Sequence, residues 1–115
     1  SVEDATRNAV RNGVGNVHFH VANLDNFFKF GVGKKYPKPD VIIVDPPRAG
    51  MHKFMTNYLP KFGAQKIVYV SCNPTTQARD TEILHMNGYR LKKLTMVDMF
   101  PHTPHIEAVG IFEKQ

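Results

Sequence analysis

Four short polar segments hold the residue types able to do chemistry: Asn23-Leu24, Asp45-Pro46-Pro47-Arg48, Ser71-Cys72-Asn73-Pro74 and His102-Thr103-Pro104-His105-Ile106-Glu107. The first three each follow a run with strand character and the fourth precedes one, and open α/β sheets bind ligands outside the carboxyl ends of their strands. Cys72 is the sole cysteine, so no internal disulfide can form. It reads either as a small buried hydrophobe or, in a polar turn, as a thiolate nucleophile. Asp45 either closes its strand or sends a carboxylate over the sheet edge, with two prolines fixing the backbone behind it. Glu107 opens the apolar run Ala108-Val109-Gly110-Ile111-Phe112, where a carboxylate costs desolvation unless it is paired or protonated, the environment of a general base. His102 and His105 lack the cysteines or carboxylates that would complete a tetrahedral metal set, and no metal is expected. His18 and His20 share one strand face and read as solvated surface.

The elements that must position these groups follow from periodicity. Val2, Ala5, Ala9 and Val10 are spaced for a helix over 2–12, stopped by Gly13. Val17, Phe19 and Val21 alternate with His18 and His20, predicting a half-buried strand over 17–22. Residues 25–39 mix three phenylalanines with glycine, proline and lysine, which reads as a helical turn entering a basic loop. Val41-Ile42-Ile43-Val44 and Lys66 to Ser71 are the continuous β-branched runs of buried parallel strands. Helices are predicted over 52–62, interrupted near Pro60, and over 75–87, with Gly88 past the end. Strands at about 90–97 and 107–113, joined by a short link, predict an antiparallel pair. The sum is an α/β sheet, mostly parallel, with a C-terminal antiparallel hairpin. It starts on a helix and lacks the opening strand and glycine-rich turn of a doubly wound sheet.

Fifteen Lys and Arg against ten Asp and Glu give a formal charge of +5 over 115 residues, a balance suited to a polyanion such as nucleic acid. The length fits a single domain. No run approaches the roughly 18 apolar residues of a membrane helix, and the polar Ser1-Val2-Glu3-Asp4 start has no apolar signal region behind it. The expectation is a soluble, cytoplasmic protein without a membrane partner.

Taken together, these segments resemble the S-adenosylmethionine-dependent RNA 5-methyluridine methyltransferases. Asp45 to Gly50 match the family's Asp-Pro-Pro/Ala-Arg-Ala/Ser-Gly, Val70 to Pro74 its Val-Ser-Cys-Asn-Pro, Ala78 to Asp80 its Ala-Arg-Asp, and Asp98 to Glu107 its Asp-Met-Phe-Pro-His-Thr-x-His-x-Glu. The helix with Asn8-Ala9 and Asn12-Gly13 and the segment ending in Asn23-Leu24 also look like the family's. The resemblance implies a Rossmann-like class I methyltransferase sheet, Cys72 as nucleophile and Glu107 as proton acceptor. It also implies that Asn23 and Asp45 line the site for S-adenosyl-L-methionine, and that the substrate is a uridine of ribosomal or transfer RNA. Arg48, Lys34, Lys35 and Lys38 are expected to contact RNA phosphates, on charge and nearness to the active edge. Two other methyltransferase chemistries fit less well. An exocyclic amino methyltransferase has an aromatic residue where Arg48 stands, and an RNA cytosine-5-methyltransferase has a cysteine after the earlier proline. A basic α/β domain that binds RNA without modifying it is the alternative from another class.

Relative to that family, the chain resembles the C-terminal part of the catalytic domain. The first two strands of the sheet and an RNA-binding N-terminal module are not in it. The strand at 17–22 would then lack its native neighbours, and it is expected to pair with the Val41 strand, with another copy of the chain, or with segments outside this sequence.

Overall fold

The computed structural model describes residues 1–23, 36–99 and 101–115, and these fall into two compact units, Ser1–Lys35 and Tyr36–Gln115. In the first unit helix α1 spans Val2–Arg11. Its start is a capping box: the Ser1 side chain accepts from the Asp4 amide while the Asp4 carboxylate reaches back to Ser1. The Ser1 hydroxyl first, then Arg7 and the terminal amine, hold the Asp4 carboxyl below the usual carboxylate range.

Residues 17–22 form no strand, which corrects the reading from alternation; Val21 is 85% exposed and no ladder among the described residues includes them. Alternating side chains are compatible with a strand, but a strand exists only where a neighbour accepts its backbone hydrogen bonds. The basic loop expected at 25–39 lies largely outside the described residues.

The second unit is built on one four-stranded sheet, β1 Val41–Val44, β2 Lys66–Ser71, β3 Tyr89–Val97 and β4 Glu107–Lys114, in the order β1-β2-β4-β3. The expected α/β class and the C-terminal antiparallel hairpin are both present. β1, β2 and β3 point the same way, but only β1 and β2 pair in parallel, because β4 enters between β2 and β3 and pairs antiparallel with each. Helix α2 (Lys53–Tyr58) runs into a 3-10 turn at Leu59–Phe62, where Pro60 interrupts the α pattern, and Gly63 closes the turn in the left-handed conformation at φ 68°. Helix α3 (Pro74–Met86) joins β2 to β3.

Register decides which side chains share the core. Ile67 faces Phe112, Tyr69 faces Gly110 and Ser71 faces Ala108, and all six residues are buried. Leu84 of α3, Leu59 of the 3-10 turn and Met55 of α2 are buried as well. Each fully buried large apolar side chain contributes about 1.5–3 kcal/mol. At Gly110 a β-carbon would lie 3.3 Å from Nε2 of Gln77 and 3.1 Å from the Phe112 ring. Glycine therefore lets α3 come close enough for Gln77 to donate to the Tyr69 and Ala108 carbonyls at 3.1 and 3.4 Å. On the other face of the sheet Val68, Val70, Val109 and Ile111 are half-buried and Ile43 is 71% exposed.

Two buried phenols tie the unit together. Tyr89 donates to the Ala64 carbonyl at 2.6 Å, and Tyr69 donates to Oδ2 of Asp80 at 2.7 Å. Burial raises both phenols above their ordinary value of 10.0, and at Tyr69 the Asp80 carboxylate adds to the effect. A phenol whose proton is held more tightly in the folded state stabilises fully below the unfolded value, and that stability is lost as pH rises through the folded one. The urea midpoint of the chain is therefore expected to stay level between about pH 8 and 9.5 and to fall above about 10, with a shallower fall in Tyr69→Phe. A midpoint level to about pH 11.5 would contradict the argument.

Candidate active site

The carboxyl ends of β1, β2 and β3 and the start of β4 lie at one end of the sheet, by parallel and antiparallel pairing alike. The segments that follow or precede them there are Asp45-Pro46-Pro47-Arg48, Cys72-Asn73 and His105-Ile106-Glu107. Asp45 is exposed directly after β1, as its two prolines predict. Cys72 is a half-buried free thiol in the bend between β2 and α3. Glu107 is the first residue of β4, opposite Val97 of β3.

Ser71 and Ala108 are the last paired residues of β2 and β4 at this end. In an antiparallel pair the next residues in register are Cys72 and Glu107, one on each side of the same rung. Glu107 shares the sheet face of Val109 and Ile111, opposite the face that α2 and α3 cover.

The bend holding Cys72 is fixed by short polar bonds. The Ser71 hydroxyl donates to the Asn73 carbonyl at 2.9 Å and accepts from the Asn73 amide at 3.0 Å. Asn73 is the N-cap of α3, its Oδ1 accepting from the Thr75 amide at 3.1 Å, with Pro74 in the first turn where its missing N–H costs nothing. Nδ2 of Asn73 and the Thr76 hydroxyl both donate to the Arg48 carbonyl at 3.2 Å. One helix start therefore holds the thiol's turn and the loop after β1. It also favours negative charge beside it, through the aligned peptide dipoles of the helix.

Arg48 then reaches across the site, its Nη2 lying 2.9 Å from Nδ1 of His105. A guanidinium can only donate, so Nδ1 accepts and the imidazole is neutral with its proton on Nε2. That contact joins the loop after β1 to the segment leading into Glu107. His102, in the same segment, is the sole non-glycine with positive φ among the described residues, at 68°, a conformation that costs about 1 kcal/mol or more in a non-glycine residue.

One expected RNA contact lies away from this end of the sheet. Lys38 sits at the opposite end of the sheet: a β-carbon on Gly63 would be 3.5 Å from its Nζ and 3.8 Å from that of Lys114. The expected nearness to the active edge fails because Lys38 precedes β1, whereas the site is made by residues that follow it. Lys34 and Lys35 are outside the described residues. Asn23 belongs to the Ser1–Lys35 unit, where it is exposed. Among the described residues no group of three or more His, Cys, Asp or Glu is placed to hold a metal, and no helix is long and apolar enough to cross a membrane.

The reading of the sequence missed a set of supports on α3. Gln77, Asp80 and Leu84 are buried, at the spacing of one helix face. Polar residues at core-facing positions were the available signal. Asp80 is 1% exposed, and it accepts from the Met51 amide at 2.8 Å and from Arg79 at 2.8 and 3.0 Å, besides Tyr69.

A free thiol in a helix-capping turn, a carboxylate in register with it at the start of β4 and a bound guanidinium gather at the carboxyl end of the sheet of an α/β protein. The chain belongs to the tRNA (uracil-5-)-methyltransferase family, whose profile matches residues 1–115. It is 50% identical over 114 residues to the 23S rRNA (uracil(1939)-C(5))-methyltransferase RlmD of Mannheimia succiniciproducens, covering 99% of this chain and 26% of that protein. The RlmD of Pasteurella multocida is 48% identical over 116 residues, covering 99% and 26%. Among solved structures, the tRNA (uracil-54, C5)-methyltransferase of Pyrococcus abyssi, in complex with S-adenosyl-L-homocysteine, superposes with a TM-score of 0.75 at 40% identity, covering 96% of this chain and 26% of that one. The chain thus spans about a quarter of the length of the curated relatives it matches.

Replacing Asn73 separates the two jobs of its side chain. Asn73→Ala is expected to cost about 1–2 kcal/mol, since the helix cap and the tether to Arg48 go together. Asn73→Asp keeps the capping oxygen but loses the Nδ2 donor, so it should retain more than half of that stability. Equal losses in thermal unfolding would show that the cap contributes little.

Proposed function

We propose that this chain carries the reactive residues of an RNA uracil-5-methyltransferase that methylates carbon 5 of a uridine in ribosomal or transfer RNA in the cytoplasm. The observation that supports it most directly is the register that sets Cys72 and Glu107 on one rung at the ligand-binding end of the sheet. S-adenosyl-L-methionine, when bound, supplies an electrophilic methyl group and leaves as the neutral thioether. An exposed carboxylate, Asp45, directly after a parallel strand is the kind of group that holds such a nucleoside cofactor. Asn23 is proposed as its second contact.

Carbon 5 of uracil is a poor nucleophile. In the proposed mechanism the Cys72 thiolate adds to carbon 6, forming an S–C bond and moving the electron pair of the ring double bond onto carbon 5 and the adjoining carbonyl as an enolate. Carbon 5, now nucleophilic, takes the methyl group. The Glu107 carboxylate removes the remaining hydrogen of carbon 5, and the S–C bond breaks as the ring double bond returns, releasing Cys72 as thiolate. The pair that carbon 5 gives to the methyl group is replaced by the carbon 5–hydrogen pair, which re-forms the ring double bond, and the S–C pair returns to sulfur, so the sequence needs no oxidant. Arg48, held at its backbone by α3, is the proposed phosphate contact at the site.

In the full-length enzyme, Cys72→Ala is expected to abolish transfer of a radiolabelled methyl group while leaving the fold intact, since the change removes little volume in a half-buried bend. Glu107→Gln is expected instead to accumulate a covalent protein–RNA intermediate, because addition and methylation precede the proton abstraction that fails. RNA carrying 5-fluorouridine should trap the wild-type enzyme as a Cys72 adduct on a denaturing gel. RNA binding with no adduct would favour the non-catalytic binding domain.

Arg48→Gln is expected to weaken RNA binding and to flatten its salt dependence by about one unit of slope. An unchanged slope would remove Arg48 from the RNA contact surface.

A further inference from the structure

Asp80 is a buried carboxylate, and the proposed mechanism makes no use of it. A carboxylate at 1% exposure loses the hydration that would stabilise it, and an apolar residue would serve helix-on-sheet packing better. Its partners show where that cost is offset. Oδ2 accepts from the Met51 amide at 2.8 Å and the Tyr69 hydroxyl at 2.7 Å, and Oδ1 accepts from Nη2 and Nε of Arg79 at 2.8 and 3.0 Å. Arg79 spends the remaining capacity of Nη2 on the carbonyls of Ala49 and Met51, at 3.1 and 3.3 Å. With Asn73 and Thr76 on the Arg48 carbonyl, side chains of α3 and its cap occupy the carbonyls of residues 48, 49 and 51 and the amide of 51.

The loop has no slack around these bonds. Gly50 is buried between them at φ 83°, and a β-carbon there would lie 2.6 Å from Nη2 of Arg79 and 2.9 Å from Oδ2 of Asp80. Upstream, Pro46 and Pro47 restrict the backbone. The stretch between Val44 and Met51, which presents Asp45 and Arg48, is thus fixed at both ends, downstream by a charge pair that touches nothing on the reactive face.

We propose that Arg79 and Asp80 are a positioning pair for the methyl-transfer reaction, holding the Asp45–Arg48 loop in register with the Cys72 turn so that Arg48 meets the RNA in a fixed pose. The proposal rests on the functional reading above for its consequences in catalysis. A guanidinium is required because one group must satisfy the carboxylate in a fork and two backbone carbonyls beyond it, which an ammonium on a flexible stem cannot do at once.

The test compares Arg79→Lys and Arg79→Gln in the full-length methyltransferase, through KM for RNA, kcat at saturating RNA, thermal midpoint and amide hydrogen exchange at Met51. Arg79→Gln is expected to raise KM about tenfold, the effect of roughly one charged hydrogen bond, with kcat within about threefold of wild type. Lysine restores a positive charge opposite Asp80 but not the bonds to Ala49 and Met51. Arg79→Lys should therefore recover the thermal midpoint while KM stays raised and the Met51 amide exchanges faster. Full recovery of KM and of Met51 protection in Arg79→Lys would make Arg79 a plain counter-ion and overturn the proposal. A lower midpoint with KM unchanged in both variants would overturn it as well. If wild-type enzyme formed no adduct with 5-fluorouridine RNA, the functional reading would fail instead, and Met51 exchange in Arg79→Lys would still decide whether the pair holds the loop.

Discussion

The pairing of β4 on both sides constrains everything else in the Tyr36–Gln115 unit. By entering between β2 and β3, β4 takes hydrogen bonds from each, so its register is set twice over. Sliding it by one residue would move Ala108, Gly110 and Phe112 out of the core and Val109 and Ile111 into it. The same register sets where β4 begins against where β2 ends, and so the height of Glu107 relative to Cys72. The spacing of the two proposed catalytic side chains, distant in sequence, is therefore set by the burial of residues that the proposed chemistry does not use.

The start of α3 is the second constraint, and it acts through polar groups. Asn73 caps the helix and tethers Arg48, Thr76 repeats the tether, and Asp80 with Arg79 anchors the loop one turn further on. Where this set is buried, at Asp80, polar bonds are costly to leave half-made, which favours a single arrangement of the junction. An apolar junction of similar area would tolerate several.

Much of this was legible in the sequence. The β1 and β2 strands, the helix broken near Pro60, α3 and the terminal hairpin all follow from local signals: β-branched runs, proline and glycine punctuation, and helical spacing. The positions of Cys72, Asp45 and Glu107 at strand ends follow from the same local signals. The failures have a common cause in partners distant along the chain. Val17, Phe19 and Val21 alternate as a strand does, yet pairing is a property of two segments and alternation describes one. Lys38 is expected at the active edge on charge, whereas β1 lies between it and Asp45 and carries the chain from one end of the sheet to the other. The position of β4 between β2 and β3 is likewise invisible to periodicity, and with it the shared rung of Cys72 and Glu107.

The contact between Arg48 and His105 differs in kind from these supports. Both residues are exposed, and a single bond to a neutral imidazole joins them, so water competes for it and its net contribution is at most about 1–2 kcal/mol. The backbone of Arg48 is fixed by α3 while its side chain is held this lightly. An incoming phosphate or carbonyl oxygen can therefore take the guanidinium from His105 without moving the loop. His105 would then be released two residues before Glu107, in the segment where His102 already carries backbone strain. The backbone of Arg48, held by two bonds from α3, and its side chain, held by one at the rim, thus differ in how firmly they are fixed.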